Sequence, residues 1–275
     1  MGHFAIGMQH FTVRSGRAEL AVSMAGEGPA LVFLHAGVAD RRMWWSQLSY
    51  FADSCRVVAY DRRGFGETRC QSEPYDNVHD LDVLFEAAEI ERAVLVASSL
   101  GGQIAIDFTL THPDQVAGLV LQAPAIGGAP KPVYPERIAR LVDELELAEK
   151  GSDVEWLGRL HAHAWLDGPA EREGRVGGNL RRLFLDMDDV VLRAQSAGRE
   201  TSRNDGYARF RELKLPVEFI SGALDFPHIN ERSLKLSGQV RRAHLTVVPG
   251  TAHFPNLEQP AKFNAIVQRS LKRMP

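Results

Sequence analysis

The segment Val94-Leu95-Val96-Ala97-Ser98-Ser99-Leu100-Gly101-Gly102-Gln103-Ile104 reads as a buried strand, a sharp turn and the start of a helix. It matches the G-x-S-x-G form of a nucleophile elbow, in which a strained strand-to-helix turn lifts a serine hydroxyl above a sheet. The residues two before and two after such a serine must be small, because strand and helix nearly touch there. Choosing Ser99 puts Ala97 and Gly101 at those positions, whereas choosing Ser98 would put Val96 and Leu100 there. Ser99 is therefore the candidate nucleophile, and Ser98 its neighbour and a candidate for the substrate site. Ala97 stands where glycine is usual, a tolerable methyl. At a helix N-terminus the backbone N–H groups and the helix dipole favour negative charge, which suits an oxyanion. The plain structural alternative is a serine that N-caps a helix after a buried strand.

Other chemistry-bearing residues offer less. His161 and His163 lie two residues apart on a helical stretch, hence on different faces, and no third ligand stands at a useful spacing. No metal site and no cofactor are expected. Arg41 and Arg42 offer a clamp for a substrate carboxylate, or equally are solvated residues at a helix start. Trp156, Leu157, Leu160, Trp165 and Phe184 offer an apolar acyl pocket, although a helical apolar stripe more often packs against its own domain.

Apolar runs suited to strands buried on both faces recur at Ala30 to Leu34, Arg56 to Tyr60, Ala93 to Ala97, Ala117 to Leu121, Val217 to Ile220 and His244 to Val248. Phe11 to Val13 and Ala18 to Met24 read as an antiparallel pair ahead of them. Helical patterns such as Val78 to Glu89 and Ile104 to Thr111 alternate with the strands, which argues for a parallel sheet with helices on both faces. From about Gly127 to Arg211 the pattern is helical only, over Ile138 to Glu149, Val154 to Trp165 and Leu180 to Ala194. Such an insertion is well placed to cover the strand ends, where parallel sheets bind ligands. The expected division is a core of residues 1–126 and 212–275 with a helical lid of 127–211.

The chain has 275 residues, 44% of them hydrophobic, enough to bury one large core. A net charge of -3 and no run of Lys or Arg leave no electrostatic footprint for nucleic acid or an anionic membrane surface. The first residues, Met1 to Gly7, lack the pattern of a signal peptide, and no stretch reaches membrane-spanning length. Cys55 and Cys70 flank the Arg56 to Tyr60 strand, which at roughly 3.3 Å per residue holds them too far apart to bridge. A cytoplasmic protein with a small-molecule partner is expected; homodimerisation is left open.

Five segments in a fixed order carry a resemblance: Leu34-His35-Ala36-Gly37, Asp61-Arg62-Arg63-Gly64-Phe65-Gly66, Ala97 to Gly102, Gly222-Ala223-Leu224-Asp225 and Gly250-Thr251-Ala252-His253-Phe254. The chain resembles the α/β-hydrolase superfamily, in its lid-bearing esterase, lactonase and C–C hydrolase branch. The resemblance implies a mostly parallel twisted sheet of about eight strands, flanked by helices, with the lid inserted before the last two. It implies that Asp225 is the acid and His253 the base of a Ser-Asp-His triad. It places the oxyanion donors on Leu100 and Gly37, makes His35 structural, and reads Asp61 to Gly66 as a structural turn. His228, in the acid loop, is a further candidate for the substrate pocket.

Those roles imply attack of Ser99 on an acyl carbon, an acyl-enzyme, and its hydrolysis by water activated by His253. A serine nucleophile disfavours the dehalogenase and epoxide hydrolase relatives, which use aspartate. Small-molecule esters or lactones are the expected substrates. The alternatives are C–C hydrolysis of ring-cleavage diketones and a ligand receptor on the same fold.

Overall fold

The computed structural model describes residues 7–202 and 205–274. Most of the stretch read for an export signal, residues 1–6, therefore lies outside the described residues, as do 203 and 204 within the inserted helical stretch. The strands are β1 (Gln9–Ser15), β2 (Ala18–Ala25), β3 (Ala30–Leu34), β4 (Arg56–Tyr60), β5 (Arg69–Cys70), β6 (Ala93–Ser98), β7 (Val116–Gln122), β8 (Val217–Gly222) and β9 (Ala243–Val248). They form one sheet in the order β1-β2-β4-β3-β6-β7-β8-β9, with β5 paired to β2. Pairings from β4 through β9 are parallel, and those of β2 with β1, β4 and β5 are antiparallel.

Burial follows position in that order. Every residue of β6 and β7 is buried, as their unbroken apolar runs demand. The edge strands β1 and β9 alternate or expose much of their length. The helices are α1 (Trp45–Phe51), α2 (Asn77–Ala87), α3 (Leu100–Thr111), α4 (Glu136–Glu149), α5 (Val154–His161), α6 (Gly178–Arg193), α7 (Gly206–Arg209), α8 (Pro227–Ser237), α9 (Pro255–Glu258) and α10 (Pro260–Leu271). One face of the sheet packs Leu81, Leu84 and Phe85 of α2, Ile104 and Phe108 of α3, and Leu236 of α8. The other packs Leu48 and Phe51 of α1 with Phe263, Ile266 and Val267 of α10.

The chain runs from β3 outward to β4 on one side and returns to β6 on the other, so the strand order reverses between β3 and β6. The C-terminal ends of these two parallel neighbours are thus a topological switch point, the kind of place where such sheets hold ligands. Between β7 and β8 lie α4, α5 and α6. Ile138, Leu141, Leu145 and Ala148 form the buried stripe of α4 and join Leu160, Ala164, Phe226 and Ile229 in a cluster of their own. The expected helix Val154 to Trp165 is α-helical only as far as His161, and Ala162–Asp167 winds as a π-helix.

Candidate active site

Ser99 sits where β6 becomes α3, at φ 51° and ψ -118°, a conformation costly for any residue with a Cβ. Four backbone bonds hold it there: its N–H donates to Gln122 O at 3.0 Å, and its carbonyl accepts from Gly102 N–H at 2.8 Å, Ala125 N–H at 2.9 Å and Gln103 N–H at 3.3 Å. The closeness of strand and helix is severe at Gly101, where a Cβ would lie 2.6 Å from Leu34 O and 2.7 Å from His35 O. Only glycine fits that contact.

Asp225 and His253 follow β8 and β9. The two loops touch at Gly222, where a Cβ would fall 1.8 Å from Ala252 O. That contact brings the carboxylate to the imidazole: His253 Nδ1–H donates to Asp225 Oδ2 at 2.8 Å, and Asp225 Oδ1 accepts Phe226 N–H at 2.8 Å. Both side chains are buried. Fixing the proton on Nδ1 leaves Nε2 with the lone pair a general base needs. The ring is held further by Trp165 at 4.7 Å between centroids, and the backbone N–H of His253 donates to Trp165 O at 3.2 Å.

Ser99 and His253 open into one cavity of about 310 Å³, with Gln103, Trp165, His228 and Arg232 also in its lining. Burial, with Arg232 and His253 nearby, pushes the His228 imidazole down to about 4, so it is neutral near pH 7. A roomier cleft of about 400 Å³ lies at the opposite, N-terminal ends of the strands, lined by Arg92, Val116, Pro216 and Arg242 among others, away from Ser99 and His253.

Gly37 faces Leu100: a Cβ on it would lie 3.7 Å from Leu100 Cβ. The two residues chosen as oxyanion donors are thus neighbours where the loops after β3 and β6 meet. His35 is fully buried, with Nδ1 on Ala36 O at 2.8 Å and Nε2 accepting Arg62 N–H at 3.0 Å.

The remaining candidates are placed elsewhere. Ser98 is buried and its Oγ accepts from Gln122 Nε2 at 3.0 Å, in a network that continues through Asn256; it is not in the cavity lining. Trp156 packs with α4 and is not in that lining either. Arg41 is neither solvated nor aimed at a substrate: it is buried against Asp61 and Glu67. Arg42 pairs with Asp40 at 2.7 Å and with Asp186 of α6 at 2.5 Å. Asp61 accepts the Glu67 N–H at 2.8 Å and pins its turn, while Arg63 is tied to Asp80 and Glu73. His161 bonds to Asp188 and His163 to Glu171 O. Cys55 and Cys70 are both free thiols. Gln103 and Arg232 of the cavity lining were not singled out by sequence. Both were reachable by helical spacing, since Gln103 lies one turn beyond Ser99 and Arg232 one turn beyond His228.

The family model described as Alpha/beta hydrolase family matches residues 31–266. The chain belongs to that family. Among its curated relatives, the pimeloyl-[acyl-carrier protein] methyl ester esterase of Nitrosospira multiformis is 26% identical, over 92% of this chain and 98% of that protein. The 2-hydroxy-6-oxononadienedioate/2-hydroxy-6-oxononatrienedioate hydrolase of Paraburkholderia xenovorans is 24% identical, over 92% and 90%. Among solved structures, the N-acyl homoserine lactone degrading enzyme Est816 superposes with a TM-score of 0.74 at 23% identity, covering 95% of this α/β-hydrolase and 99% of its own chain. Among the described residues, no helix of this α/β-hydrolase is long and apolar enough to cross a membrane.

Proposed function

We propose that this α/β-hydrolase cleaves small carboxylic esters or lactones through an acyl-enzyme, with Ser99 as nucleophile, His253 as base and Asp225 as its orienting acid. The observation that carries the reading is the 2.8 Å bond from His253 Nδ1 to Asp225 in the wall of the cavity that Ser99 enters from its strained turn. His253 Nε2 takes the Ser99 proton as Oγ bonds to the acyl carbon. The carbonyl oxygen becomes an oxyanion held by the N–H groups of Leu100 and Gly37. Collapse breaks the C–O bond to the alcohol, which leaves with the proton from His253. Water then adds to the acyl-enzyme, losing a proton to His253 and returning the serine and a free acid.

A cavity of about 310 Å³ suits a short acyl group better than a long chain or an extended peptide. Ester and lactone substrates also agree with what two of the relatives are named for, a methyl ester and an N-acyl homoserine lactone. Residues 127–211 serve as a lid in this reading. C–C hydrolysis, the activity named for the P. xenovorans relative, needs the same triad and is the second reading. The test is labelling with a fluorophosphonate followed by peptide mapping, together with turnover of p-nitrophenyl esters, a lactone and a ring-cleavage diketone. Modification at Ser99 and ester or lactone turnover, both absent from Ser99→Ala, are expected. Labelling at Ser98, or turnover of the diketone alone, would overturn the reading.

A further inference from the structure

Behind the oxyanion loop lies a guanidinium that the reaction as written does not use. Arg62, just past β4, is 2% exposed, and its Nε has no partner. Its neighbour Arg63 is neutralised by Asp80 at 2.8 Å and Glu73 at 2.6 Å. No such ion pair is made by Arg62 among the described residues; the hydrogen bonds of its guanidinium go to the backbone carbonyls of His35 and Ala36. A buried cation without a counter-ion is costly. Phe65 covers it at 4.2 Å and packs on the His35 ring at 4.8 Å, so water is kept from the cluster.

Ala36 O receives two of these bonds, from Arg62 Nη2–H at 3.0 Å and from His35 Nδ1–H at 2.8 Å. His35 Nε2 accepts the Arg62 backbone N–H, which keeps the ring proton on Nδ1. Burial, reinforced by the Arg62 charge, holds this imidazole well below its ordinary range, so it stays neutral. The described chain has no cis peptide. In the planar trans amide joining Ala36 to Gly37, the Gly37 N–H therefore points opposite to Ala36 O. The oxygen faces the buried Arg62; the N–H faces away from it, on a loop where Gly37 meets Leu100. Two donors on a carbonyl also polarise its amide and strengthen the N–H as a donor.

We propose that Arg62 is a positioning residue for oxyanion stabilisation: its buried, unneutralised guanidinium clamps Ala36 O and so aims and strengthens the Gly37 N–H. This rests on the proposed acyl-transfer reading. Arg62 touches neither substrate nor nucleophile; it acts through one peptide unit. Burial draws its guanidinium down to about 10, still cationic near neutral pH.

The experiment compares Arg62→Met and Arg62→Lys with wild type, using p-nitrophenyl acetate and phenylboronic acid, which forms a tetrahedral adduct on an active serine. Fluorophosphonate titration counts competent molecules, so partial misfolding does not imitate lost catalysis. Arg62→Met is expected to lower kcat per titrated site roughly tenfold to a hundredfold, less than or comparable to removing an oxyanion donor outright. KM should move little, boronic acid affinity should fall by a similar factor to kcat, and Lys should restore part of both. Unchanged kcat in Arg62→Met, or lost kcat with wild-type boronic acid affinity, overturns the proposal. If the Met variant does not fold, Arg62→Lys decides: weakened boronic acid binding at unchanged KM supports the clamp, and wild-type values overturn it. A wild-type protein that neither turns over esters nor binds the boronic acid removes the acyl-transfer reading and the role of Arg62 with it. An active wild type with indifferent Arg62 variants removes only the latter.

Discussion

In the proposed mechanism Asp225 contributes by being an acceptor twice over, once for Phe226 N–H and once for His253 Nδ1–H. Asp225→Asn would preserve the shape while offering an amide N–H toward Nδ1, which drives the imidazole to the wrong tautomer. In other triads this costs roughly 10⁴-fold in kcat, and a loss of that order, with KM little changed, is the expected outcome of steady-state assays. An Asp225→Asn protein with ordinary turnover would require another acid. The tight strand-to-helix turn at Ser99 was legible from local sequence because its constraint is local: small residues are needed on either side, and the 2.6 Å approach at Gly101 is the same constraint in three dimensions. Arg41, Arg42 and Arg62 were not legible. Arg41 and Arg42 are adjacent and Arg62 stands in a later turn, and the three side chains are chemically identical; they differ only in which groups meet them: Asp61 and Glu67, Asp40 and Asp186, or peptide carbonyls. Residue type alone does not encode that.

At the scale of elements, α3 carries a buried acid that the proposed reaction does not use. Asp107 is 5% exposed and its Oδ1 has no partner. Burial, with Asp205, Glu200 and Asp76 nearby, pushes its carboxyl up to about 7. A carboxyl raised in the folded state binds its proton more tightly there than in the unfolded chain. Its contribution is thus favourable below about pH 4 and is lost as pH rises through about 7. Asp107→Asn should therefore raise the melting temperature at pH 8 and bring little or no gain at pH 4, as scanning calorimetry at the two pH values would show. Equal shifts at both would disprove the linkage. The strands were readable because burial on both faces forces unbroken apolar runs, as in β3, β6 and β7. The two-residue β5 was not, since Arg69–Cys70 pairs with β2 without any pattern of its own. The π-helix at Ala162–Asp167 was equally silent: its residues fit an α-helix as well, and only the packing of Trp165 on His253 and Phe226 shows what the extra residue per turn accomplishes.

For the molecule as a whole, the inserted helices meet the rest of the chain through a shared apolar cluster, with Ala162, Leu166, Phe184 and Met187 joining it, and through specific polar contacts. Trp165 reaches the cavity and Trp156 does not. Trp165→Ala should consequently change the ratio of rates among p-nitrophenyl esters of increasing chain length, and Trp156→Ala should leave that ratio near its original value. A uniform fall across all esters for Trp165→Ala would give that residue a structural role only. The contacts also run the other way. His253 N–H is held by Trp165 O, and Ala252 N–H by Glu258, whose carboxylate pairs with Arg175 at 2.7 Å. Arg175 Nη1 further donates to Gly250 O at 3.1 Å, and Arg42 beside the oxyanion loop pairs with Asp186. This wiring bears on how such a gene can be recombined. Exchanging residues 127–211 with those of a relative replaces Trp165, Arg175 and Asp186, and with them the partners of His253, Glu258, Gly250 and Arg42. Crossovers that keep the ties of Trp165 and Arg175 must therefore inherit the stretch from Gly250 to Glu258 from the same parent as the helices, so two segments distant in sequence behave as one heritable unit.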